Sequence, residues 1–260
     1  MSDLSTAPLP SWCTLVRAHN AGPMTLDGTN TYVLRGAAGR DAVVVDPGPL
    51  EEDHLAAVAA HGPVGLVLLT HGHPDHSEGA RRLHEMTGAP VLAVEPAFCI
   101  GETRLRPGAL LDGTSGLGIE VVATPGHTSD SVCFVVRDGE PGLLTGDTIL
   151  GRGTTVVAHP DGRLADYLAS LGVIRELGAL TLLPGHGPAG GDASERAVAY
   201  LEHRAQRLDQ VRAALAKGAT TAHDVVRIVY ADVDESLWPA AELSVRAQLD
   251  YLAAGPPGPA

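Results

Sequence analysis

Cysteine is scarce in this chain: three in 260 residues. Cys13, Cys99 and Cys133 lie in unrelated segments with no zinc-like spacing, which excludes a disulfide-stapled scaffold and points to reduced thiols. None adjoins a histidine or aspartate motif, which argues against a cysteine nucleophile. Aromatics are equally sparse, with two Trp, five Tyr and two Phe, so little is available to stack on bases. Basic residues are outnumbered, 18 Lys and Arg against 31 Asp and Glu, for a formal charge of −13. Nucleic-acid binding draws on Lys and Arg to neutralise phosphate, and the longest basic run is Arg81-Arg82. That balance disfavours nucleic acid as a partner, although an acidic protein can still carry a local basic patch. No apolar run approaches the ~20 residues needed to span a bilayer. Met1 to Pro10 lacks the basic start and apolar core of a secretion signal. No membrane association and a cytoplasmic location are therefore expected. A hydrophobic content of 44% is ample for a packed core.

Against that plain background one stretch stands out. Thr70-His71-Gly72-His73-Pro74-Asp75-His76 places three histidines and an aspartate directly after the apolar run Gly65-Leu66-Val67-Leu68-Leu69. Such a run reads as a buried strand, so the polar side chains sit where a strand gives way to a loop and a rigid scaffold can aim them. Imidazole nitrogen and carboxylate oxygen are the donors zinc takes in reactive sites. A solvated His-rich loop would explain the cluster if it stood alone. It does not. Ile119-Glu120-Val121-Val122-Ala123-Thr124-Pro125-Gly126 ends at His127, Gly142-Leu143-Leu144-Thr145-Gly146 ends at Asp147, and Leu180-Thr181-Leu182-Leu183-Pro184-Gly185 ends at His186. Each is a strand, a turn signal and a donor. Seven donors exceed the needs of one tetrahedral ion and suggest two.

These motifs resemble the metallo-β-lactamase superfamily of hydrolases, over roughly residues 15 to 190. A closer resemblance, to the β-lactamase-like-2 branch, rests on further segments. They are Gly28-Thr29-Asn30-Thr31-Tyr32, Val45-Asp46-Pro47-Gly48-Pro49, Gly146-Asp147-Thr148-Ile149-Leu150-Gly151-Arg152-Gly153-Thr154-Thr155 and Pro184-Gly185-His186-Gly187-Pro188. The resemblance implies an α/β fold, a four-layer αββα sandwich with a small α-helical C-terminal region and the metals at one edge. It also implies a division of the donors: His71, His73 and His127 on one ion, Asp75, His76 and His186 on the other, with Asp147 between them. The implied cofactors are two zinc ions, with manganese or iron as alternatives. In this reading a hydroxide held between the ions attacks a carbonyl or phosphorus centre, and Asp75 steers the nucleophile or relays a proton.

The wider pattern fits. Strands are expected at residues 15–17, 31–34, 42–45, 66–69, 91–94, 119–123, 132–136 and 142–144. Helices are expected at 50–61, 76–87 and 163–177. Such a mixture supports a layered α/β domain. Residues 1–14 read as a loosely ordered lead-in and 255–260 as a Gly/Pro-rich tail. We place a metal-binding catalytic domain at 1–190 and a helical region at 191–260, with helices at 193–217, 221–230 and 235–252. This region is winged-helix-like but without a visible wing. From Asp192 to Asp250 it carries ten acids against seven bases, which argues against DNA reading. It reads best as a wall of the active-site cleft.

Outside the donor set, Asp46 is a candidate to orient a metal-bound histidine, or simply to cap a turn. Asn30, Thr155 and His159 are candidates for substrate contact, and His203 and Arg204 would either face the cleft or lie on a solvated helix face. The leading functional expectation is a dinuclear zinc-dependent hydrolase acting on a small ester, thioester or lactone. A single-strand-selective endoribonuclease of the β-lactamase-like-2 type is the alternative enzyme. A metal-binding module whose helical C-terminus recognises a partner is the non-enzymatic one.

Overall fold

A computed structural model describes residues 8–101, 104–112 and 114–255. Two five-stranded sheets face each other. The first contains β1 (Cys13–Arg17), β2 (Asn30–Leu34), β3 (Ala42–Val45), β4 (Val64–Leu68) and β5 (Val91–Leu92), in that spatial order. The second runs β10 (Thr181–Pro184), β9 (Gly142–Gly146), β8 (Val132–Val136), β7 (Ile119–Ala123) and β6 (Leu110–Leu111). Helices α1 (Glu52–Ala59), α2 (Pro74–Ser77) and α3 (Ala80–Thr87) follow the first sheet's strands. Helix α4 (Leu164–Glu176) precedes β10, and α5 (Ala193–Ala216), α6 (Ala222–Val229) and α7 (Trp238–Ala254) complete the described chain.

The layering follows from period-two side-chain alternation. In β8 every residue is buried. Val132, Phe134 and Val136 point into the core between the sheets, with Tyr32, Leu34, Val43 and Leu68 from the opposite side. Cys133 and Val135 point outward, into a second core with Leu171 and Ile174 of α4 and Ala197 and Tyr200 of α5. On the other flank Val44 and Val67 meet Leu55 and Val58 of α1 and Leu83 of α3. Helix, sheet, sheet and helix therefore share three cores, the expected four-layer αββα sandwich. Burying two faces explains why these strands read as continuous apolar runs rather than alternating ones. Helix α5 extends past the sandwich: Val211 and Ala214 join Val225 and Val226 of α6 and Ala241 and Val245 of α7 in a fourth core. No strand follows α7 among the described residues.

Strand direction decides where the loops gather. Strand β8 is antiparallel to both β7 and β9, and β10 is parallel to β9. Strands β7, β9 and β10 thus all end at the same edge of their sheet. The two sheets are stitched together there: Val132 N donates to Thr70 O at 2.9 Å and Asn30 N to Gly185 O at 2.8 Å.

Three expectations need correction. The helix expected at 76–87 is two helices. The break falls at Glu78-Gly79, where Gly79 N donates to Gly48 O (2.9 Å). The lead-in is ordered well before residue 14: Trp12 is buried, its indole donates to Glu140 O at 2.8 Å, and Cys13 begins β1. A large indole filling the end of the central core outweighs the Pro-rich composition around it. Residues 91–94 shrink to a two-residue strand. The first seven residues of the lead-in and residues 256–260 of the tail lie outside the described residues.

Candidate metal centre and its cavity

Four strand ends deliver the donors to one place. His71, His73, Asp75 and His76 follow β4, His127 follows β7, Asp147 follows β9 and His186 follows β10. The turns demand glycine at two points. Gly146 sits at φ 47°, and a Cβ there would run into the Thr70 side chain. Gly126 sits at φ 136°, against the Tyr167 backbone of α4. The donors gather in three groups, each with one ligand atom per residue and all atoms within 4.8 Å of one another. These are His71 with His73 and His127, His71 with His76 and Asp147, and Asp75 with His76 and His186.

Hydrogen bonds on the far side of each ring fix which nitrogen is left free. Asp46 Oδ2 accepts from both Thr70 Oγ1 (2.7 Å) and His76 Nδ1 (2.8 Å). With its proton given to Asp46, the Thr70 hydroxyl can only accept from His71 Nδ1, 3.0 Å away. His127 Nδ1 donates to Val156 O at 2.6 Å and His186 Nδ1 to Gly28 O at 3.3 Å. In their neutral forms all four rings therefore present a bare Nε2 to the centre. His71 Nε2 and His127 Nε2 stand 3.1 and 3.0 Å from His73 Nδ1, and His76 Nε2 stands 3.2 Å from His186 Nε2. At His76 and His186, whose Nδ1 atoms are both engaged elsewhere, two neutral rings would aim lone pairs at one another, an arrangement that calls for a cation. Donors ~2.0–2.1 Å from a tetrahedral zinc would lie about 3.3 Å apart.

Asp147 lies between the two groups. Its Oδ1 is 3.4 Å from His76 Nε2 and 3.5 Å from His186 Nε2, while its Oδ2 is 3.8 Å from His127 Nε2. Oδ1 is buried without a hydrogen-bond partner among the described residues, an expensive arrangement for a carboxylate oxygen. Asp75 Oδ2 is 3.1 Å from His186 Nε2. The donor set thus fits a pair of cations on chemical grounds. The electrostatics agree. Burial pushes the His71 imidazole well below its usual value, helped by His76 and His127. Burial likewise lowers His127 to about 4, against the pull of Asp147. For His76 burial is opposed and outweighed by Asp147 and Asp46, which raise it well above its usual range. Burial also works against the Asp147 carboxylate, but His186 and His76 hold it well below its usual value. The field that would draw a proton onto His76 would equally draw a metal ion.

Asp46 is the least conspicuous member of this arrangement. It has a positive φ of 51°, strained for a non-glycine residue, and besides holding Thr70 Oγ1 and His76 it accepts the Thr70 backbone N–H at 2.8 Å. Strain of this kind persists where the surroundings over-determine it. The turn signal at Pro47-Gly48 left its role open; the contact with His76 identifies it as an orienting group.

Over the donors opens a cavity of about 370 Å³, lined by His127 and Asp147 at its inner end. Met24, Leu26, Leu150, Val233, Leu237 and Ala240 give it apolar walls. Thr155 lines it, as expected from the sequence. Asn30 does not. It is fully buried beneath the site, and its amide donates to Pro184 O (2.9 Å) and Gly187 O (2.8 Å), bracing the loop that carries His186. His159 does not line it either; it points into a neighbouring hollow, where its Nε2 meets Asp250 Oδ2 at 3.0 Å. A helix reaching back from residue 250 captures the imidazole, a contact that local spacing cannot reveal.

Helix α5 contributes more to this cavity than its sequence suggests. His203, Arg204 and Arg207 all line it, together with Arg152. A chain of net charge −13, whose longest basic run is Arg81-Arg82, thus carries a local basic patch in this wall. The signal was present as helical spacing: Arg196, Tyr200, Arg204, Leu208 and Val211 recur at helical intervals along one buried stripe.

Comparison with known proteins agrees with this geometry. Residues 24–186 match the metallo-beta-lactamase superfamily. The chain belongs to that superfamily. Residues 221–254 match the beta-lactamase associated winged helix domain. Among similar proteins is a beta-lactamase-like protein 2 homolog from Caenorhabditis elegans, 32% identical over 254 residues, covering 92% of this chain and 83% of that protein. Another is an atrochrysone carboxyl ACP thioesterase from Aspergillus chevalieri, 33% identical, covering 85% of this chain and 74% of that protein. A metallo-beta-lactamase family protein from Thermus thermophilus superposes with a TM-score of 0.79, at 23% identity, over 96% of this chain and 98% of that one. That likeness concerns the fold. The superfamily binds divalent metals, and the chain is one of its hydrolases. No helix among the described residues is long and apolar enough to cross a membrane.

Proposed function

We propose that this chain is a dinuclear zinc-dependent hydrolase of small acyl substrates: an ester, a thioester or a lactone. The observation that carries the proposal is Asp147, which presents one oxygen to His76 and His186 and the other toward His127, at the floor of an apolar cavity. His71, His73 and His127 would hold one ion, Asp75, His76 and His186 the other, and Asp147 would bridge them. Bound there, such a pair supplies Lewis acidity to the attacked carbonyl and activates water near neutral pH. Manganese or iron would suit the same mixed imidazole and carboxylate set.

The chain's own residues supply the rest. Burial tends to raise the Asp75 carboxyl, but the His186 contact and His76 outweigh it and keep it below its usual range. An ionised Asp75, only partly buried beside His186, is placed to accept a proton from the attacking water on Oδ2. It would return that proton to the departing thiolate or alkoxide as the carbonyl carbon exchanges its C–S or C–O bond for a bond to water oxygen. Met24, Leu26, Val233 and Leu237 exclude bulk water from the acyl chain. Thr155 positions the substrate. The thioesterase among the similar proteins supports an acyl substrate for this chain too. Residues 1–190 are proposed as the catalytic unit, and the helices of 191–260 as the wall that closes its cavity.

Elemental analysis of protein purified without chelator should find about two ions per chain. A hydrolysis panel of aryl esters, acyl thioesters, lactones, phosphodiesters and short single-stranded RNA, run with zinc, manganese and iron, tests the substrate. A single ion unchanged by added zinc would sink the dinuclear site. Efficient RNA cleavage that resists ~0.2 M salt, with negligible acyl hydrolysis, would replace the acyl reading with the ribonuclease one. Stoichiometric metal with no turnover on any member of the panel would favour a metal-binding module with a partner at its helical C-terminus.

A further inference from the structure

Helix α5 carries two arginines on its buried stripe, Arg196 and Arg204, and a third, Arg207, beside it. Arg196 is 7% exposed, Arg204 is 2% exposed and Arg207 is half-buried. Among the described residues none of the three is paired with a carboxylate. The acids of the same helix, Glu195, Glu202 and Asp209, all point to solvent. The guanidiniums are held instead by neutral groups: backbone carbonyls, ring faces and, for Arg207, Gln210 Oε1 at 2.9 Å. Arg204 donates to Thr155 O at 2.5 Å and lies 5.0 Å above the Tyr167 ring, and Arg207 donates to Val229 O at 3.0 Å and lies 4.3 Å above Tyr230. The Nε of Arg204 and of Arg207 and the Nδ1 of His203 are buried with no hydrogen-bond partner among the described residues. Arg204, Arg207 and His203 all line the cavity. Uncompensated buried cations are costly, and in a protein with 31 acidic residues a counter-charge would have been easy to supply from within. Arg152 on the same wall has such a partner in Asp27; its absence beside Arg204 and Arg207 marks a place for a ligand's negative charge.

Resting on the acyl-hydrolase reading, we propose that the cavity selects acyl groups whose far end carries a carboxylate, with Arg204 and Arg207 as its counter-charges. The scissile carbonyl lies at the inner end, by His127 and Asp147. The methylene chain lies along Leu150, Val233 and Leu237. The distal carboxylate reaches the guanidiniums, and His203 contributes a neutral polar contact beside them. Planar guanidinium forks match carboxylate geometry. The apolar walls between the two polar ends favour a dicarboxylic monoacyl chain over a nucleotide, which would need polar or stacking contacts along its length.

The test uses the full-length, metal-loaded chain and two thioesters of N-acetylcysteamine, adipyl and hexanoyl. They share length and an uncharged leaving thiol and differ only in a terminal carboxylate or methyl. Wild type should favour adipyl in kcat/KM by about tenfold or more, since a charge-assisted contact is at stake. Arg207→Met should bring that ratio close to unity, and Arg207→Lys should restore part of it. Calorimetric binding of adipate and hexanoate supplies a readout independent of turnover: adipate should bind at least about tenfold more tightly, and Arg207→Met should remove the difference. If Arg207→Met does not fold, the wild-type ratios decide. Hydrolysis of hexanoyl equal to or better than adipyl, or a ratio unmoved by Arg207→Met, overturns the carboxylate preference while leaving the acyl reading intact. Turnover of neither thioester instead counts against the acyl reading; adipate binding lost in Arg207→Met then still supports the anion-recognising end, and equal binding of the two acids overturns it.

Discussion

Asp46 Oδ2 lies 2.8 Å from His76 Nδ1, both side chains almost wholly out of solvent. The same oxygen accepts the Thr70 hydroxyl, and Thr70 in turn faces His71 Nδ1. One carboxylate therefore sets the orientation of a histidine in each of the two proposed triads. Partners of this kind fix the tautomer of a ligating imidazole and raise its basicity.

Asp46→Asn should weaken metal retention by about 10- to 100-fold, the range usual for such outer partners. Competition against a chelator of known affinity measures it, with circular dichroism to verify folding. A variant that holds metal as firmly as wild type would show that Asp46 merely shapes its turn.

Asp147→Ala should abolish nearly all turnover on any working substrate and lower the metal content, because both proposed ions lose a shared donor. His159→Ala, by contrast, removes a contact to a largely exposed Asp250, and surface pairs contribute only about 0–1 kcal/mol. Its activity and melting temperature should stay close to wild type. Metal analysis alongside kinetics separates the two cases. Near-normal turnover in Asp147→Ala would remove it from the bridging position.

Gly126→Ala is expected to destabilise the fold by about 1–3 kcal/mol, through strain at a special backbone angle and a clash with the Tyr167 backbone. Tyr167 hydrogen-bonds Thr148 O at 2.7 Å, so the displacement should also disturb the loop after Asp147. Denaturant unfolding reads the first effect and turnover the second. An unchanged transition midpoint would show that the turn relaxes freely.

Burial raises the Cys13 and Cys133 thiols to about 12 from an ordinary value of 9.0. In the unfolded chain both ionise near 9, so between about pH 9 and 12 the unfolded state binds fewer protons than the folded one. Stability contributed by these thiols is therefore complete below pH 9 and falls as pH rises through that window. Labelling with a thiol reagent at pH 8 should modify Cys99, which is partly exposed, and reach the other two only on unfolding. Rapid modification of three thiols in the native state would contradict the buried assignment.

The sequence by itself determined the kind of fold and singled out the candidate donors that the fold gathers. A strand that ends in a turn and a donor is a local pattern. Four such patterns are legible because none spans more than twelve residues, and they carried the superfamily resemblance with them. Strand cores such as 42–45 and 132–136 were equally legible, since continuous apolar runs report burial on both faces. Tertiary structure decided everything that depends on which distant segment arrives where. Asn30 looked like a cleft residue and became a brace because Pro184 and Gly187 pack over its amide. His159 was drawn aside by Asp250, 91 residues away. Arg204 and Arg207 could not be told from a solvated helix face. Helical periodicity gives the stripe but not the neighbour, and only the packing of α5 between the sandwich and the last two helices turns that stripe toward the cavity. Short-range geometry is written residue by residue, whereas long-range contacts depend on the free energy of the whole packed chain.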